Sequence, residues 1–257
     1  MAAENIDTVT TKSDVFISMA KRAKFIIILF AVAIVLEGVG IISSFLQVGL
    51  LEAMMNGLSV SDSVAEANDS RQALIGLVQV LLLIFTAVVF LRWFYRTHAN
   101  LKPLQLQGLK YKSNWAVWYF FIPIINLVRP FQVAAEMWKA SFSVYNKAET
   151  WQSLKIPACI TVWWITHIVS GIMSRVASRI PMKSDVTIED LIFSTNLDMA
   201  ASAVAIVSIV FVIKMVKGIT AAQEEKFKAI PLEVAGVDTE ANLGGFTPEA
   251  IDEGKEG

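Results

Sequence analysis

Read from the N-terminus, the chain alternates long apolar runs with polar stretches, and the runs have the length of membrane crossings. A helix crossing a bilayer takes about 20 apolar residues. Four runs qualify: Phe25–Leu46, Ala73–Leu91, Ile156–Met173 and Leu197–Ile213. Leu50, Leu51, Met54 and Met55 keep helical spacing, so the first helix is expected to run on to Asn56. About two dozen polar residues precede Phe25. A cleaved leader has a shorter basic region, so the first run is expected to be a retained span. The predicted division is residues 1–24, a cytoplasmic segment; 25–229, a membrane domain; and 230–257, a flexible acidic tail. In that tail Glu233, Asp238, Glu240, Glu249, Asp252, Glu253 and Glu256 face one base, Lys255.

Composition agrees. The 257 residues are 55% hydrophobic and 18% charged, with a mean hydropathy of +0.56. That is too apolar for a soluble domain of this size. A net charge of −1 gives no case for nucleic acid. The single cysteine, Cys159, excludes an intramolecular disulfide and reads as a small apolar core residue.

The basic residues set the orientation. With the N-terminus inside, only Arg71, Arg175, Arg179 and Lys183 of the 22 Lys and Arg lie outside, leaving eighteen inside. Both termini are then expected to be cytoplasmic.

Between the second and third runs lies an aromatic, basic and Asn-bearing segment, about 93–147, broken by Pro123 and Pro130. Residues Trp115 to Val128 are too few for a fifth span, which would also push Lys139, Lys147 and Lys155 outside. A re-entrant or interfacial element is expected there. Pro123 disfavours helix at Ile122, and Pro130 suits the first turn of a new one. The bend between them is expected to have its freed backbone groups satisfied by Asn126. In the helix after Pro130, Phe131, Ala134, Ala135, Trp138, Phe142 and Tyr145 share one face, and Gln132, Glu136, Lys139 and Ser143 the other. This predicts an amphipathic helix in the headgroup plane. Trp93, Tyr95, Trp115, Trp118, Tyr119 and Trp138 are expected to be interfacial aromatic anchors.

Two groups of polar residues are candidate sites. Arg92, Arg96, His98, Asn100, Asn126, Arg129 and Glu136 could enclose a pocket for a phosphate or carboxylate, since arginine binds both in a bidentate way. They could equally lock the bent segment to the second span through internal pairs. The second group is a layer at one depth. By a rise of about 1.5 Å per residue, Glu37 lies roughly 18 Å from Phe25 and His167 roughly 17 Å from Ile156. Gln79 and Ser202 fall at roughly 20 Å and 18 Å from Arg92 and Lys214. A proton-sensitive site or ion path would use a Glu37–His167 pair, whereas ordinary packing would use the same residues as a hydrogen-bonded clasp.

The motifs Trp93-x-x-Arg96-x-x-x-Asn100-Leu101, Ser113-x-Trp115-Ala116-Val117, Phe121-Ile122-Pro123-x-x-Asn126-Leu127-x-x-Pro130 and Glu136-Met137-Trp138-Lys139-Ala140-Ser141 resemble a bacterial membrane family known as a domain of unknown function (DUF4328). The resemblance covers about fifty residues, and the flanking spans agree with that family's layout. Its members carry Gly or Pro near Asn114, where this chain does not. The resemblance implies a bacterial cytoplasmic membrane and four helices, and no reaction.

The sequence holds no metalloprotease, nucleophile-elbow, phosphate-loop or dinucleotide-turn motif. With two histidines at different depths, no metal or cofactor is expected. Three readings stand in order. The first is an all-α, non-enzymatic scaffold or regulatory subunit with a protein partner or as a homo-oligomer. The second is a small oligomeric transporter or channel component using Glu37 and His167. The third is a binder or modifier of anionic phospholipid headgroups.

Overall fold

The computed structural model describes residues 15–143 and 146–234, with side chains as far as Ala229. Tyr145, the first 14 residues and the acidic stretch after Val234 lie outside the described residues.

Four helices are long and apolar enough to cross a membrane: α1 (Ala20–Met55), α2 (Asp62–Ala99), α6 (Ala158–Arg179) and α7 (Ile188–Val234). Between α2 and α6 come α3 (Ser113–Trp118), a 3-10 turn over Ile125–Leu127, α4 (Arg129–Phe142) and α5 (Ala148–Gln152). Among the described residues there is no strand and no fifth span. The fold is therefore an all-α membrane bundle of four spans, with a proline-broken aromatic element inserted before the third.

Helix α7 is the hub. It packs along α1 on one side and α6 on the other, and α2 packs on α1. Small polar residues join the helices at close range. Ser208 Oγ donates to Trp163 O at 3.1 Å, and Ser194 Oγ to Ala177 O at 3.0 Å, both between α7 and α6. Between α1 and α2, Arg71 Nε donates to Ser43 Oγ at 2.9 Å while its Nη2 reaches Asn68 Oδ1 at 2.6 Å. In an apolar surround, such bonds hold register where hydrophobic burial gives little net drive.

The helices overrun their apolar runs. At 36 and 38 residues, α1 and α2 are about 54 and 57 Å long, against a hydrocarbon core of about 30 Å. As the spacing of Leu50 to Met55 predicts, α1 continues to Met55, where Gly57 at φ +79° ends it. Leu58 N donates to Ala53 O at 3.0 Å and Gly57 N to Met54 O at 3.1 Å. That paired closure needs a left-handed residue, which glycine adopts without a steric penalty.

The overruns meet at one end of the bundle. There the start of α1, the end of α2, α4 and the last turns of α7 build a second core beyond the spans. Trp93, Phe94, Leu101, Met137, Met215 and Ile219 are fully buried in it. Trp93 Nε1 donates to Thr220 Oγ1 at 3.2 Å. We call this the basic end, because most of the Lys and Arg lie there.

This core changes the reading of two anchors. Trp93 is a core residue rather than an interfacial one. Trp138 stacks on Phe142 at 4.4 Å and lies flat on α7, where a Cβ at Gly218 would stand 2.7 Å from its ring. Glu136, assigned by periodicity to the polar face of α4, is 4% exposed. The face away from the aromatics is thus also covered, by the loop at 110–113, and α4 is packed on both sides. Trp115 and Trp118 do stand exposed, with Tyr95 and Tyr119 part-buried behind them.

Candidate functional site

The seven basic-end polar residues do not converge on one pocket. They fall into separate groups. Asn100, fully buried, pairs with the backbone of Ile17 in both directions: Nδ2 donates to Ile17 O at 2.8 Å, and Oδ1 accepts from Ile17 N at 3.2 Å. Arg96 Nη2 donates to Val15 O. Glu224 on α7 accepts from Met19 N at 3.1 Å, and Phe16 stacks on Phe227 at 4.1 Å. Together these clamp residues 15–19 across α2 and α7.

His98 and Glu136 form a buried pair at 3.2 Å, with the carboxylate accepting from Nε2. Ser113 Oγ lies 3.0 Å from His98 Nδ1. Glu136 also accepts from the amides of Lys110 at 2.7 Å and Tyr111 at 3.4 Å. This carboxylate is saturated by donors of its own chain. It fixes the loop that enters α3.

Arg129 is elsewhere, exposed, bonded to Gln132 Oε1 at 3.0 Å and lying over the Tyr111 ring at 5.8 Å. Arg92 points outward from α2. Asn126 does not satisfy the bend through its side chain. The bend closes through its backbone instead: Asn126 N donates to Ile122 O at 2.9 Å, and Trp164 Nε1 donates to Leu127 O at 2.7 Å.

The bend has an unusual tip. Ile124, 81% exposed, has φ +66° and ψ −48°, and Ile125 N donates across it to Pro123 O at 2.7 Å. A three-residue turn of this hand is rare and strained, the more so for a β-branched residue. Trp115, Trp118, Phe121, Leu127 and Val128 stand exposed around it. Behind them, Phe120 wedges between α2 and α6, with ring centroids 5.3 Å from Phe94 and 6.3 Å from Trp164.

The second group, Glu37, Gln79, His167 and Ser202, is brought together. All four line one cavity of about 550 Å³ between α1, α2, α6 and α7. Its walls are mainly apolar. Phe90, Phe120, Phe121 and Trp163 close its basic end, so the proline-broken element forms part of the enclosure. Pocket-forming space arises because α2 packs on α1 and leaves a gap toward α6, which Phe120 bridges only at one end.

Among the described residues no hydrogen bond or ion pair joins Glu37 to His167. Glu37 and Ser202 line the same space, and Asp198 stands one turn before Ser202 on α7. His167 stacks near Trp164, at 5.5 Å between centroids. Gln79 packs over Gly40, where a Cβ would come within 2.9 Å of its Nε2. Thr86 Oγ1 is buried against the cavity and makes no hydrogen bond.

Asp198 is a residue the hydropathy reading passed over, because it sits inside the fourth apolar run. Its signal was available: it precedes Ser202 by four residues, which puts both on one helix face. Ser174 Oγ donates to it at 3.4 Å. Among the described residues no group of three or more His, Cys, Asp or Glu could hold a metal ion.

Comparison with curated proteins and with solved structures gave no match. One family profile does match, over residues 56–221, from the residue after α1 through α2, the aromatic element and α6 to the buried part of α7. The match takes in all the elements that build the cavity except the first span, and it covers more than half of the chain, so the chain belongs to the family described as a domain of unknown function (DUF4328).

Proposed function

We propose that this protein is a non-enzymatic, multi-pass component of a bacterial cytoplasmic membrane that holds a membrane-soluble small molecule between its four spans. The observation that carries the reading is the cavity of about 550 Å³, lined by all four spans and bearing Glu37, Gln79, His167 and Ser202 among apolar walls. Sites for small ligands are typically concave, about 300–1,000 Å³, mostly apolar and supplied with a few placed polar groups. This space meets each condition. The buried Thr86 hydroxyl without a hydrogen bond adds a further unused polar group on its wall.

The cavity favours this reading over the scaffold and headgroup readings. A headgroup-binding pocket at the basic end would need Arg96, Asn100 and Arg129 to converge, and they serve separate partners. A scaffold role does not account for a polar-lined space in the centre of the bundle. Both termini belong on the cytoplasmic side in this proposal, because the basic end carries most of the Lys and Arg.

The test is binding of an uncharged apolar fluorophore, 1-N-phenylnaphthylamine, to the protein in lipid nanodiscs. Gly171 lines the cavity, and a Cβ there meets nothing within 4 Å. Gly171→Phe adds a large side chain at an open position of the wall and is chosen to occupy the space. Saturable binding to the parent that Gly171→Phe abolishes, and that Trp115→Ala leaves intact, is the expected result. Equal uptake by the parent and Gly171→Phe would remove the reading.

A further inference from the structure

We propose that the cavity is selective for hydrophobic cations, compounds with one delocalised or quaternary positive charge on an apolar body. This rests on the reading of the cavity as a ligand site and names the class of ligand.

Three observations lead to it. First, Glu37 is the one acidic side chain on the cavity wall, and no Lys or Arg lines the cavity. A carboxylate set among apolar walls is costly without a counter-charge. No cationic side chain lines the space beside it. Second, the other acid nearby, Asp198, has the same sign and is bonded only to a neutral hydroxyl, that of Ser174. The nearby acid thus offers Glu37 no counter-charge. Arg175 stands about two turns beyond His167 on α6 and does not line the space. Third, Phe90, Phe120 and Trp163 line the same space. Phe90 meets the other two edge-on, at 6.3 Å from Phe120 and 6.3 Å from Trp163. Aromatic rings attract cations through their electron-rich faces and repel anions there, and the effect grows where water is excluded. An apolar body would be desolvated by the walls while its charge met Glu37 and the rings. An anion would meet the same groups with the opposite sign, and a small hydrated cation would lose its water for one carboxylate.

The wall also fits a ligand that arrives from the bilayer. Apart from Phe120 and Phe121, the enclosure comes from the spans themselves, and α2 leaves its gap toward α6. A hydrophobic cation partitions into lipid and needs no aqueous channel to reach this gap.

The experiment compares two probes of like size and shape and opposite charge, tetraphenylphosphonium and tetraphenylborate. Both are measured by equilibrium dialysis against the parent protein in phosphatidylcholine nanodiscs, with empty nanodiscs subtracted. Saturable tetraphenylphosphonium binding, tighter than that of tetraphenylborate by roughly tenfold or more, is the expected outcome. Glu37→Gln is expected to bring the two affinities together. Borate binding as tight as phosphonium binding would overturn the cation selectivity, and so would a Glu37→Gln variant that keeps the full preference. The probe comparison on the parent decides the matter even if that variant fails to fold. Failure of the uncharged fluorophore as well as both ions would instead overturn the underlying reading of the cavity.

Discussion

At the scale of single residues, the polar groups of this chain divide by the partner each finds. Asn100 behaves as a strand-like clamp, its amide pairing both ways with Ile17. Replacing it with Ala removes two hydrogen bonds and leaves two backbone groups to find water. Asn100→Ala is expected to cost roughly 1–3 kcal/mol, read as a lower melting temperature in detergent and faster proteolysis before Ala20. Glu136→Ala is the more damaging change. It strips His98 and two amides of their acceptor inside the fold, a loss of about 3–5 kcal/mol for a broken buried pair. Glu136→Gln keeps one carbonyl acceptor and is expected to retain folded protein where Glu136→Ala does not. A Glu136→Gln variant as unstable as Glu136→Ala would contradict that account. Much of this was open to sequence reading in kind but not in geometry. The polar residues of segment 93–147 were visible. That Asn100 reaches back to residue 17 was not, because nothing in local spacing announces a contact 83 positions away. The depth argument fared differently. Glu37, Gln79, His167 and Ser202 do share one cavity, since near-straight antiparallel helices convert residue count into depth reliably. Which of them touch depends on rotation about each axis, which residue count does not give.

At the scale of elements, the helices outrun the apolar patterns that announce them. Hydropathy marks the part of a helix that meets lipid. The last turns of α7 are as helical as its span but carry Lys214, Lys217, Gln223, Glu224 and Lys226, so the pattern there reads as polar. Those turns bury Trp93 and receive α4. That is why Trp93 looked like an interfacial anchor and is a core residue, and why Trp138 is part-buried against α7. Lys226 Nζ, donating to Ser143 O at 2.7 Å, closes the C-terminal end of α4 from α7. The fit of α4 on α7 depends on the missing side chain at Gly218. Gly218→Val should cost about 1–3 kcal/mol through overpacking against Trp138. In a Trp138→Leu background the same change should cost markedly less, and a double-mutant cycle in thermal stability measures the difference. Equal costs in both backgrounds would mean that the Gly218–Trp138 contact is not what the glycine serves. The turn at Ile124 offers a change of opposite sign. Ile124→Gly relieves a positive-φ strain and is expected to stabilise the fold by about 1 kcal/mol. A destabilised variant would show instead that the exposed side chain earns its place through contact with lipid.

At the scale of the whole molecule, the arrangement is a four-span bundle with two distinct parts. One is the spans, apolar outside and enclosing the cavity. The other is the basic end, where the overruns of α1, α2 and α7 hold α3 to α5 and the clamped segment 15–19. The number and approximate positions of the spans were legible because lipid imposes a simple length rule. The cavity was not, because it is a property of how α2 sits relative to α6, and short-range pattern carries no information about a gap. The orientation proposed from the distribution of Lys and Arg can be checked directly. In a Cys159→Ser background, a cysteine at Met182, in the link between α6 and α7, should react with a membrane-impermeant maleimide added to intact cells. One at Lys102, at the basic end, should react only after the membrane is opened. The reverse pattern would invert the topology.

The central claim is that the space between the spans is a ligand site, and native mass spectrometry of the protein released from its own membrane tests it most directly. The parent should carry a non-covalent small molecule in fixed ratio, and Gly171→Phe, with the same assembly state, should have lost it. An empty parent, or the same bound mass on both proteins, would contradict the claim.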